Sequence, residues 1–290
     1  MDNYSNNLQR LGKKSITASD ISAQFWCEKQ MELNALFGSK KTYAMAKGTK
    51  IHAQMQEEVY VELKAEPLNY ADRLYKEAYE NCMNLSKLKS DGSCREIKLY
   101  GSINGYTIVG KVDELRLDGG KILIVEDKTT RENEEVSEAK MRTNKVQIML
   151  YRRLLGDIVG CEYTYQNFSS SYKIESMSMS EGFKSSVASQ NVDAKMLDLK
   201  SIWGRFFELL GGFAGVSDRL EINYRSRTTG DLYVKVDFQY DKERFGKEMM
   251  HIMRYWNGER EAMPVTEEEK WKCRMCQFFG KQCTVWLNRL

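Results

Sequence analysis

The chain has 290 residues, of which 42% are hydrophobic and 29% are charged, so it can form one large domain or two small ones. A net charge of +3 is only mildly basic and does not by itself require a nucleic-acid partner. No run of about 18 apolar residues is present, which excludes a membrane-spanning helix. The polar residues 1–14 lack the apolar core of a secretory signal, and we expect them to be an unstructured tail.

In the first half of the chain, the spacing of apolar residues first fits helices and then changes to the pattern of strands. Residues 18–37 are predicted to form a helix with Thr17 or Ser19 as its N-cap. Apolar residues recurring at intervals of four predict further helices over residues 44–64 and 68–89. Strands bounded by glycines are predicted over residues 95–100, 105–117 and 121–129.

The second half of the chain contains both helical and strand patterns of apolar residues. We predict helices over residues 136–158, 195–210 and 241–257, a strand near 161–168, a serine-rich loop over 169–180 and a hairpin over 220–240. There are two prolines and no low-complexity linker, which favours a single domain spanning residues 1–290. The predicted fold class is α/β, with a small central mixed sheet flanked by helices.

The hairpin over residues 105–129 carries charges inside its strands. With the turn at residues 118–121, Asp113 falls opposite Glu126, and opposed side chains have Cβ atoms about 4.5–5.5 Å apart. Glu126 and Lys128 share a face because side chains alternate along a strand, whereas Asp127 points away or offers only its backbone carbonyl. Two like charges so placed are destabilising unless a cation lies between them.

This arrangement suits a particular chemistry. Two carboxylates one cation's width apart fit Mg²⁺ or Mn²⁺, which prefer oxygen ligands. A lysine on the same face could act on the attacking water or neutralise an anionic transition state, as hydrolysis of a phosphodiester requires. The short pattern alone also fits a surface ladder of Glu–Lys pairs with Asp113 near the strand end, and that alternative stays open.

Two neighbouring motifs could complete such a site. Gln147 and Tyr151 are spaced i, i+4 in a predicted helix, so they share one face and could support Lys128. His52 follows Gly48 in an earlier predicted helix, and a glycine there would let another backbone or a substrate approach closely.

Seven cysteines without a secretory signal argue against a disulfide framework. Cys82, Cys94 and Cys161 are scattered, as buried or neutral thiols would be. The other four form a C-x2-C-x6-C motif near the C-terminus plus a candidate fourth thiolate near the N-terminus, and we call Cys27, Cys273, Cys276 and Cys283 the cysteine quartet. Zinc and a [4Fe–4S] cluster both accept four thiolates, and either would tie the two ends of the chain together.

Together these motifs resemble one family over nearly the whole chain. The chain resembles the RecB-like branch of the PD-(D/E)XK nucleases and, within it, exonuclease V, the defects-in-morphology family, which is related to Cas4 and AddB. The residues that carry the resemblance are Thr17 and Asp20 of the opening helix, His52, Gly110 and Asp113 of a G-x-x-D motif, Glu126 and Lys128, Gln147 and Tyr151, Tyr255 and Trp256, and the cysteine quartet. Val112 stands where the family name has its proline, which is usual in the RecB branch.

The resemblance implies a role for each matched residue. His52, Asp113, Glu126 and the backbone carbonyl of Asp127 would bind two Mg²⁺ or Mn²⁺ ions, and Lys128 would act on the attacking water. Gln147 and Tyr151 would shape the site. The cysteine quartet would hold a structural [4Fe–4S] cluster that joins the N- and C-terminal segments of a PD-(D/E)XK core.

The resemblance also implies an activity and a setting. It implies a monomeric exonuclease that hydrolyses single-stranded DNA from the 5′ end in DNA repair or genome maintenance, with a single-strand binding protein as a potential partner and no membrane. An intracellular compartment follows, either nucleus or mitochondrion in a eukaryote or cytoplasm in a prokaryote. A Cas4-like nuclease that trims DNA for CRISPR adaptation and a non-catalytic single-strand binding module are the alternatives.

Overall fold

Groups of helices alternate with groups of strands along the chain, as the changes in the spacing of apolar residues predict. The structure, a computed structural model, describes residues 5–57, 61–131 and 135–287, apart from the side chains of residues 52, 54, 56 and 57. Its helices are α1 (Asn7–Arg10), α2 (Ala18–Phe37), α3 (Tyr43–Glu57), α4 (Tyr70–Ser90), α5 (Glu138–Val159), α6 (Tyr165–Tyr172), α7 (Glu181–Ala188), α8 (Leu199–Gly211) and α9 (Lys242–Trp256). Its strands are β1 (Ile16–Thr17), β2 (Ser93–Ile103), β3 (Tyr106–Asp118), β4 (Lys121–Thr130), β5 (Val216–Ser226) and β6 (Leu232–Gln239).

Across the described residues the six strands form one mixed sheet. The order is β1-β3-β4-β5-β6, and β2 also pairs with β3. The β2–β3, β3–β4 and β5–β6 pairs are antiparallel, whereas β4 and β5 are parallel because the chain returns to the sheet through α5 to α8. The predicted α/β class, a mixed sheet flanked by helices, is confirmed. No helix in the described ranges is long and apolar enough to cross a bilayer.

Aromatic packing between the sheet and its helices forms the centre of the core. The ring of Tyr100 on β2 lies 5.0 Å from that of Phe168 on α6 and 5.1 Å from that of Trp203 on α8, in edge-on arrangements that aromatic pairs favour. All three side chains are fully buried. Helix α5 packs between this cluster and α2, so its inner face is held rigidly against the sheet.

Ion pairs cross several strands of the sheet. Arg95 on β2 pairs with Glu114 on β3 and Asp127 on β4, and Arg225 on β5 pairs with the second oxygen of Asp127. Arg116 extends the row by contacting both Glu114 and Glu221. The acids of this row are nearly inaccessible to water, so their pairing with arginine is essential to hold them inside.

The strand predicted near residues 161–168 is wrong. Residues 165–172 form helix α6 instead, because the backbone N–H of Thr164 donates to Asn167 Oδ1 at 2.8 Å and starts a helix there. Phe168 of this helix is fully buried in the core. The predicted serine-rich loop also contains structure, since α6 continues to Tyr172 and a short 3₁₀ turn follows at Ile174–Ser176.

The helix predicted over residues 44–64 ends earlier than expected. Helix α3 extends to Glu57, residues 58–60 lie outside the described part of the chain, and residues 61–68 are not helical. Beyond the gap the backbone N–H groups of Val61 and Leu63 donate to Asn84 and Glu80 of α4, so side chains of a neighbouring helix replace the helical bonds.

The N-terminal segment is not an unstructured tail over its described residues. Residues 7–10 form α1, which begins at the N-cap Asn6. Asn7 is buried, and its side-chain amide donates to the carbonyl of Tyr255 at 2.6 Å, which fixes the segment to α9.

Candidate active site and cysteine quartet

The candidate site lies where strands β3 and β4 separate. The two strands pair from Asp118–Lys121 to Glu114–Val125, which is the predicted register. Asp113 is the next residue on β3, and here a side chain replaces the backbone acceptor of the strand pairing. Asp113 Oδ2 accepts the backbone N–H of Asp127 at 2.9 Å. The hairpin therefore opens at the level of Asp113 and Glu126, the two acids that the sequence placed opposite each other.

Lys128 connects the open hairpin to helix α5. Its Nζ donates to Glu126 Oε1 at 2.7 Å and to Gln147 Oε1 at 3.0 Å. The amide of Gln147 in turn donates to the hydroxyl of Tyr151 at 2.7 Å, one helical turn later. The structure thus brings Glu126, Lys128, Gln147 and Tyr151 together in one continuous hydrogen-bonded chain.

The charges of the site set the protonation of Lys128 and Tyr151. Burial alone would lower the pKa of Lys128, but the negative charges of Glu126 and Asp113 outweigh it and raise the pKa above its ordinary value. Burial, followed by the charge of Glu126, raises the pKa of Tyr151 well above its ordinary value. Lys128 is therefore an ammonium donor at neutral pH, and Tyr151 is a neutral phenol.

The side chain of Asp127 is held away from these groups. Its Oδ2 accepts from Arg95 at 2.6 Å and its Oδ1 from Arg225 at 2.7 Å. This agrees with the predicted orientation of Asp127 and leaves its backbone carbonyl as the one atom of this residue that could serve the site. The two arginines fix β4 at the point where β3 no longer pairs with it.

Glu96 is a further acid at the site that the sequence analysis missed. It lies on β2 between the paired positions Arg95–Glu114 and Ile97–Val112, and so directly across from Asp113. Its φ is +61°, a left-handed conformation that costs a non-glycine residue about 1–3 kcal/mol. Its side chain is 6% exposed and forms an ion pair with Lys111. The sequence offered no clear signal for it, since Arg95 and Lys98 are also charged residues of this strand.

His52 can be placed only through its helix, since its side chain lies outside the described residues. Gly48, one turn earlier on α3, approaches β4 so closely that a Cβ there would lie 3.0 Å from Thr129 Oγ1. This is the close backbone approach predicted for Gly48. It brings the Gly48–His52 turn of α3 to the end of β4, next to Lys128.

The residues present have the right chemistry for a divalent cation. Asp113 and Glu126 are 9% and 1% exposed, and buried carboxylates of this kind suit Mg²⁺ or Mn²⁺, which prefer oxygen ligands. Over the described residues, no three His, Cys, Asp or Glu side chains are spaced to hold a metal ion. The remaining predicted ligands are of other kinds: the backbone carbonyl of Asp127, and the imidazole of His52, which lies outside those residues.

Gly110 controls the position of Tyr151, which leads to a first prediction. A methyl group on Gly110 would lie 2.5 Å from Tyr151 Cε1 and 3.1 Å from Ala18 Cβ, so the ring must move. Because Tyr151 holds Gln147 and Gln147 holds Lys128, we expect Gly110→Ala to lower nuclease activity about a hundredfold and stability by about 1–3 kcal/mol.

Gly246→Ala is the matched control, since a methyl group there meets nothing within 4 Å on helix α9. It should leave cleavage unchanged and raise stability slightly. Cleavage rates and thermal unfolding of both variants provide the measurement. A Gly110→Ala variant that cleaves at the wild-type rate would show that the Tyr151 position does not matter.

The cysteine quartet surrounds one pocket between the two ends of the chain. Helix α2 is interrupted at Cys27, whose φ of −168° and ψ of 111° leave the helical range. Cys273, Cys276 and Cys283 line the same pocket from the C-terminal segment, together with Trp26. None of the cysteines forms a disulfide in the described residues.

Contacts around the pocket bind the C-terminal segment to α2. The ring of Trp26 meets that of Trp271 edge-on at 5.7 Å, and the buried ammonium of Lys272 donates to the carbonyl of Trp26 at 3.0 Å. Gln30 bridges the quartet, since its backbone N–H donates to Cys27 Sγ and its side chain to Cys276 Sγ, both at 3.4 Å.

The thiols are near enough to influence one another. Burial raises the pKa of Cys27, and the neighbouring Cys276 and Cys283 raise it further. The pKa of Cys273 is raised by burial and by the same two neighbours. A shared cationic centre would stabilise neighbouring cysteines as thiolates, so the donor set fits a metal centre in type.

A helix-flanked mixed sheet that presents an Asp and a Glu-x-Lys motif at an opened hairpin defines a nuclease-type protein. The chain belongs to the exonuclease V family. The model of that family, described as "Exonuclease V - a 5' deoxyribonuclease", matches residues 6–120, 116–206 and 197–286. The family and the enzyme class predicted from the sequence, a deoxyribonuclease, are thereby confirmed.

Individual relatives agree with this family. The chain is 25% identical to exonuclease V of Danio rerio over 96% of this chain and 72% of that protein. It is 33% identical to a mitochondrial exonuclease V of Candida dubliniensis over 30% of this chain and 14% of that protein. Among solved structures, that of SSO0001 is similar with a TM-score of 0.43 and 11% identity, over 91% of this chain and 83% of that one.

Proposed function

We propose that this chain is a metal-dependent exonuclease that hydrolyses single-stranded DNA from the 5′ end, built as a single RecB-like nuclease domain with a PD-(D/E)XK core. One observation carries the proposal: Lys128 is held between Glu126 and Gln147 at the point where the hairpin opens beside Asp113. The description of the family as a 5′ deoxyribonuclease supports the substrate and the polarity.

The proposed ligands of two Mg²⁺ or Mn²⁺ ions are Asp113, Glu126, the backbone carbonyl of Asp127 and His52. When bound, the ions supply Lewis-acid activation of the attacking water and neutralise charge on the phosphate. Burial of both carboxylates at one opened hairpin supports this assignment, because Mg²⁺ and Mn²⁺ prefer oxygen ligands.

Side chains of the protein orient the attacking water, stabilise charge on the phosphate and hold Lys128 and the β4 backbone in position. The Lys128 ammonium orients the attacking water and donates to negative charge that develops on the phosphate. As the water oxygen binds phosphorus and the bond to the leaving oxygen breaks, the water loses a proton to solvent and the leaving oxygen gains one from it. Gln147 holds Lys128 in place, and Tyr151 holds Gln147. Arg95 and Arg225 fix Asp127, and the Asp113 carboxylate accepts its amide, so that the Glu126–Lys128 backbone keeps its position.

The cysteine quartet is the proposed binding site of a structural [4Fe–4S] cluster. Zinc and a [4Fe–4S] cluster both accept four thiolates. The quartet lines one pocket, and its split into one N-terminal and three C-terminal cysteines supports the cluster. The cluster would join α2 to the C-terminal segment.

The wider setting follows from the same proposal. We expect a monomer that works in DNA repair or genome maintenance on strands supplied with a single-strand binding protein. An intracellular compartment is expected for such a substrate, and one matched relative is described as mitochondrial.

Digestion of labelled oligonucleotides tests the proposal directly. Single-stranded DNA labelled at the 5′ or the 3′ end is incubated with and without Mg²⁺, and with either end blocked. Mg²⁺-dependent release that begins at the 5′ end, and that a 5′ block prevents, is the expected result. Binding without cleavage under all conditions would identify a non-catalytic single-strand binding module and overturn the proposal.

A further inference from the structure

A cleft of about 260 Å³ lies between helix α4 and strands β2 and β3, on one side of the candidate site. Four cationic side chains from these three elements line it: Arg73 and Lys76 from α4, Lys98 from β2 and Lys111 from β3. We call it the α4 cleft. Three acids, Glu77, Glu80 and Glu96, also line it, so the cations exceed the lining acids by one and the cleft carries a small excess of positive charge.

Arg73, the outer cation of the α4 cleft, has no acidic partner among the described residues. The three lysines are paired, Lys98 with Glu77 at 2.5 Å, Lys76 with Glu62 at 3.4 Å, and Lys111 with Glu96. In the part of the chain that the structure describes, no carboxylate lies within ion-pair distance of Arg73, whose guanidinium lies 5.7 Å from the centre of the Tyr70 ring. Its planar donors can therefore bind a phosphate in the bidentate geometry that arginine favours.

An exposed aromatic ring stands beside this arginine. Tyr70 is 46% exposed, and it precedes Arg73 and Glu77 on the same face of α4. An exposed ring next to cations is the combination with which proteins hold unpaired nucleotides, because bases stack on the ring while phosphates contact the charges. A base offers its face to such a ring only when it is not stacked in a duplex.

The inner wall of the α4 cleft is continuous with the candidate active site. Glu96 lines the cleft and lies directly across from Asp113 in the β2–β3 pairing. A strand in the cleft would thus run from Tyr70 and Arg73 past the lysines towards Asp113.

We propose that the α4 cleft holds the sugar–phosphate backbone of the single DNA strand next to the bond that is hydrolysed, with Arg73 on a phosphate and Tyr70 under a base. This inference rests on the proposed function, and it assigns the strand a path on the α4 side of the site. Lys76, Lys98 and Lys111 each keep ammonium donors beyond their acidic partners, and these donors contact the phosphates nearer to Asp113.

Binding of a fluorescent oligothymidylate, followed by anisotropy in EDTA over a range of KCl concentrations, tests the cleft. Arg73→Glu should weaken binding at least about tenfold and flatten the slope of log K against log salt by roughly 0.7 for each phosphate that the variant no longer neutralises. Tyr70→Ala should weaken binding about fivefold or more with the salt slope unchanged, because it removes the ring on which a base stacks but no charge.

Arg205→Glu is the matched control, an equal charge reversal at an exposed arginine of α8 that does not line the cleft. It should bind as the wild type does. Wild-type affinity in both Arg73→Glu and Tyr70→Ala, with the wild type still cleaving DNA, overturns the cleft and leaves the proposed function intact. A wild type that neither binds nor cleaves single-stranded DNA overturns the proposed function itself. Equal melting temperatures of all variants verify that folding is unaffected.

Discussion

Lys128→Ala should lower the rate of DNA cleavage at least about a thousandfold, because charge donation to the transition state and positioning of water are lost together. Asp113→Ala should have an equally large effect, since it removes a proposed metal ligand and the acceptor of the Asp127 amide. Neither side chain lines the α4 cleft, so both variants should retain most of their affinity for single-stranded DNA. Rates on end-labelled DNA and anisotropy in EDTA measure the two effects separately.

Lys121→Ala provides the matched control on the same strand. Lys121 is the first residue of β4, is exposed and lies at the turn of the hairpin, far along the strand from Lys128. It should cleave as fast as the wild type. If Asp113→Ala or Lys128→Ala also cleaves at the wild-type rate, the assignment of the site is wrong.

The second large effect is expected at the cysteine quartet. The wild-type protein, purified without oxygen, should be brown, and Cys276→Ser should abolish its visible absorption. Loss of the centre opens a loop of about 250 residues, which costs about 5 kcal/mol in a chain-entropy estimate. That is a large part of the stability of an average domain, so we expect a much lower folded yield and melting temperature.

Cys161→Ser separates the loss of the centre from the loss of a thiol. Cys161 is exposed and does not line the quartet pocket. Its substitution should change neither the absorption nor the melting temperature. Iron and zinc analysis completes the measurement: a colourless wild-type protein with stoichiometric zinc would overturn the cluster and leave the quartet as a zinc site.

The parts of the fold that depend on neighbouring residues could be predicted from the sequence. Helix α2 begins where expected because Thr17 and Asp20 form a reciprocal capping box, and it ends where expected because Gly38 follows with a positive φ. The β3–β4 hairpin follows from its Gly119-Gly120 turn, in which both glycines have positive φ. The non-helical course of residues 61–68 could not be predicted, because the backbone N–H groups of Val61 and Leu63 donate to Asn84 and Glu80, which are distant in sequence.

The residues of the site could likewise be predicted where their positions depend on residues nearby in sequence, and not where they depend on distant ones. The opposition of Asp113 and Glu126 and the spacing of Gln147 and Tyr151 depend on a turn and a helical repeat, and so the sequence indicated them. Glu96 was missed because its place across from Asp113 results from the pairing of two strands and from a left-handed φ. The contacts of Asp127 with Arg95 and Arg225 were missed because they join residues on three different strands.

The bond from the Asp127 amide to the Asp113 carboxylate also affects how the chain moves. In the rest of the hairpin, an amide hydrogen can exchange with solvent only when the strands themselves separate. At Asp127 a single side-chain rotation is enough, because the acceptor is a carboxylate rather than a backbone carbonyl. The exchange rate of this one amide therefore reports how firmly the Asp113 side chain is held, independently of the stability of the sheet.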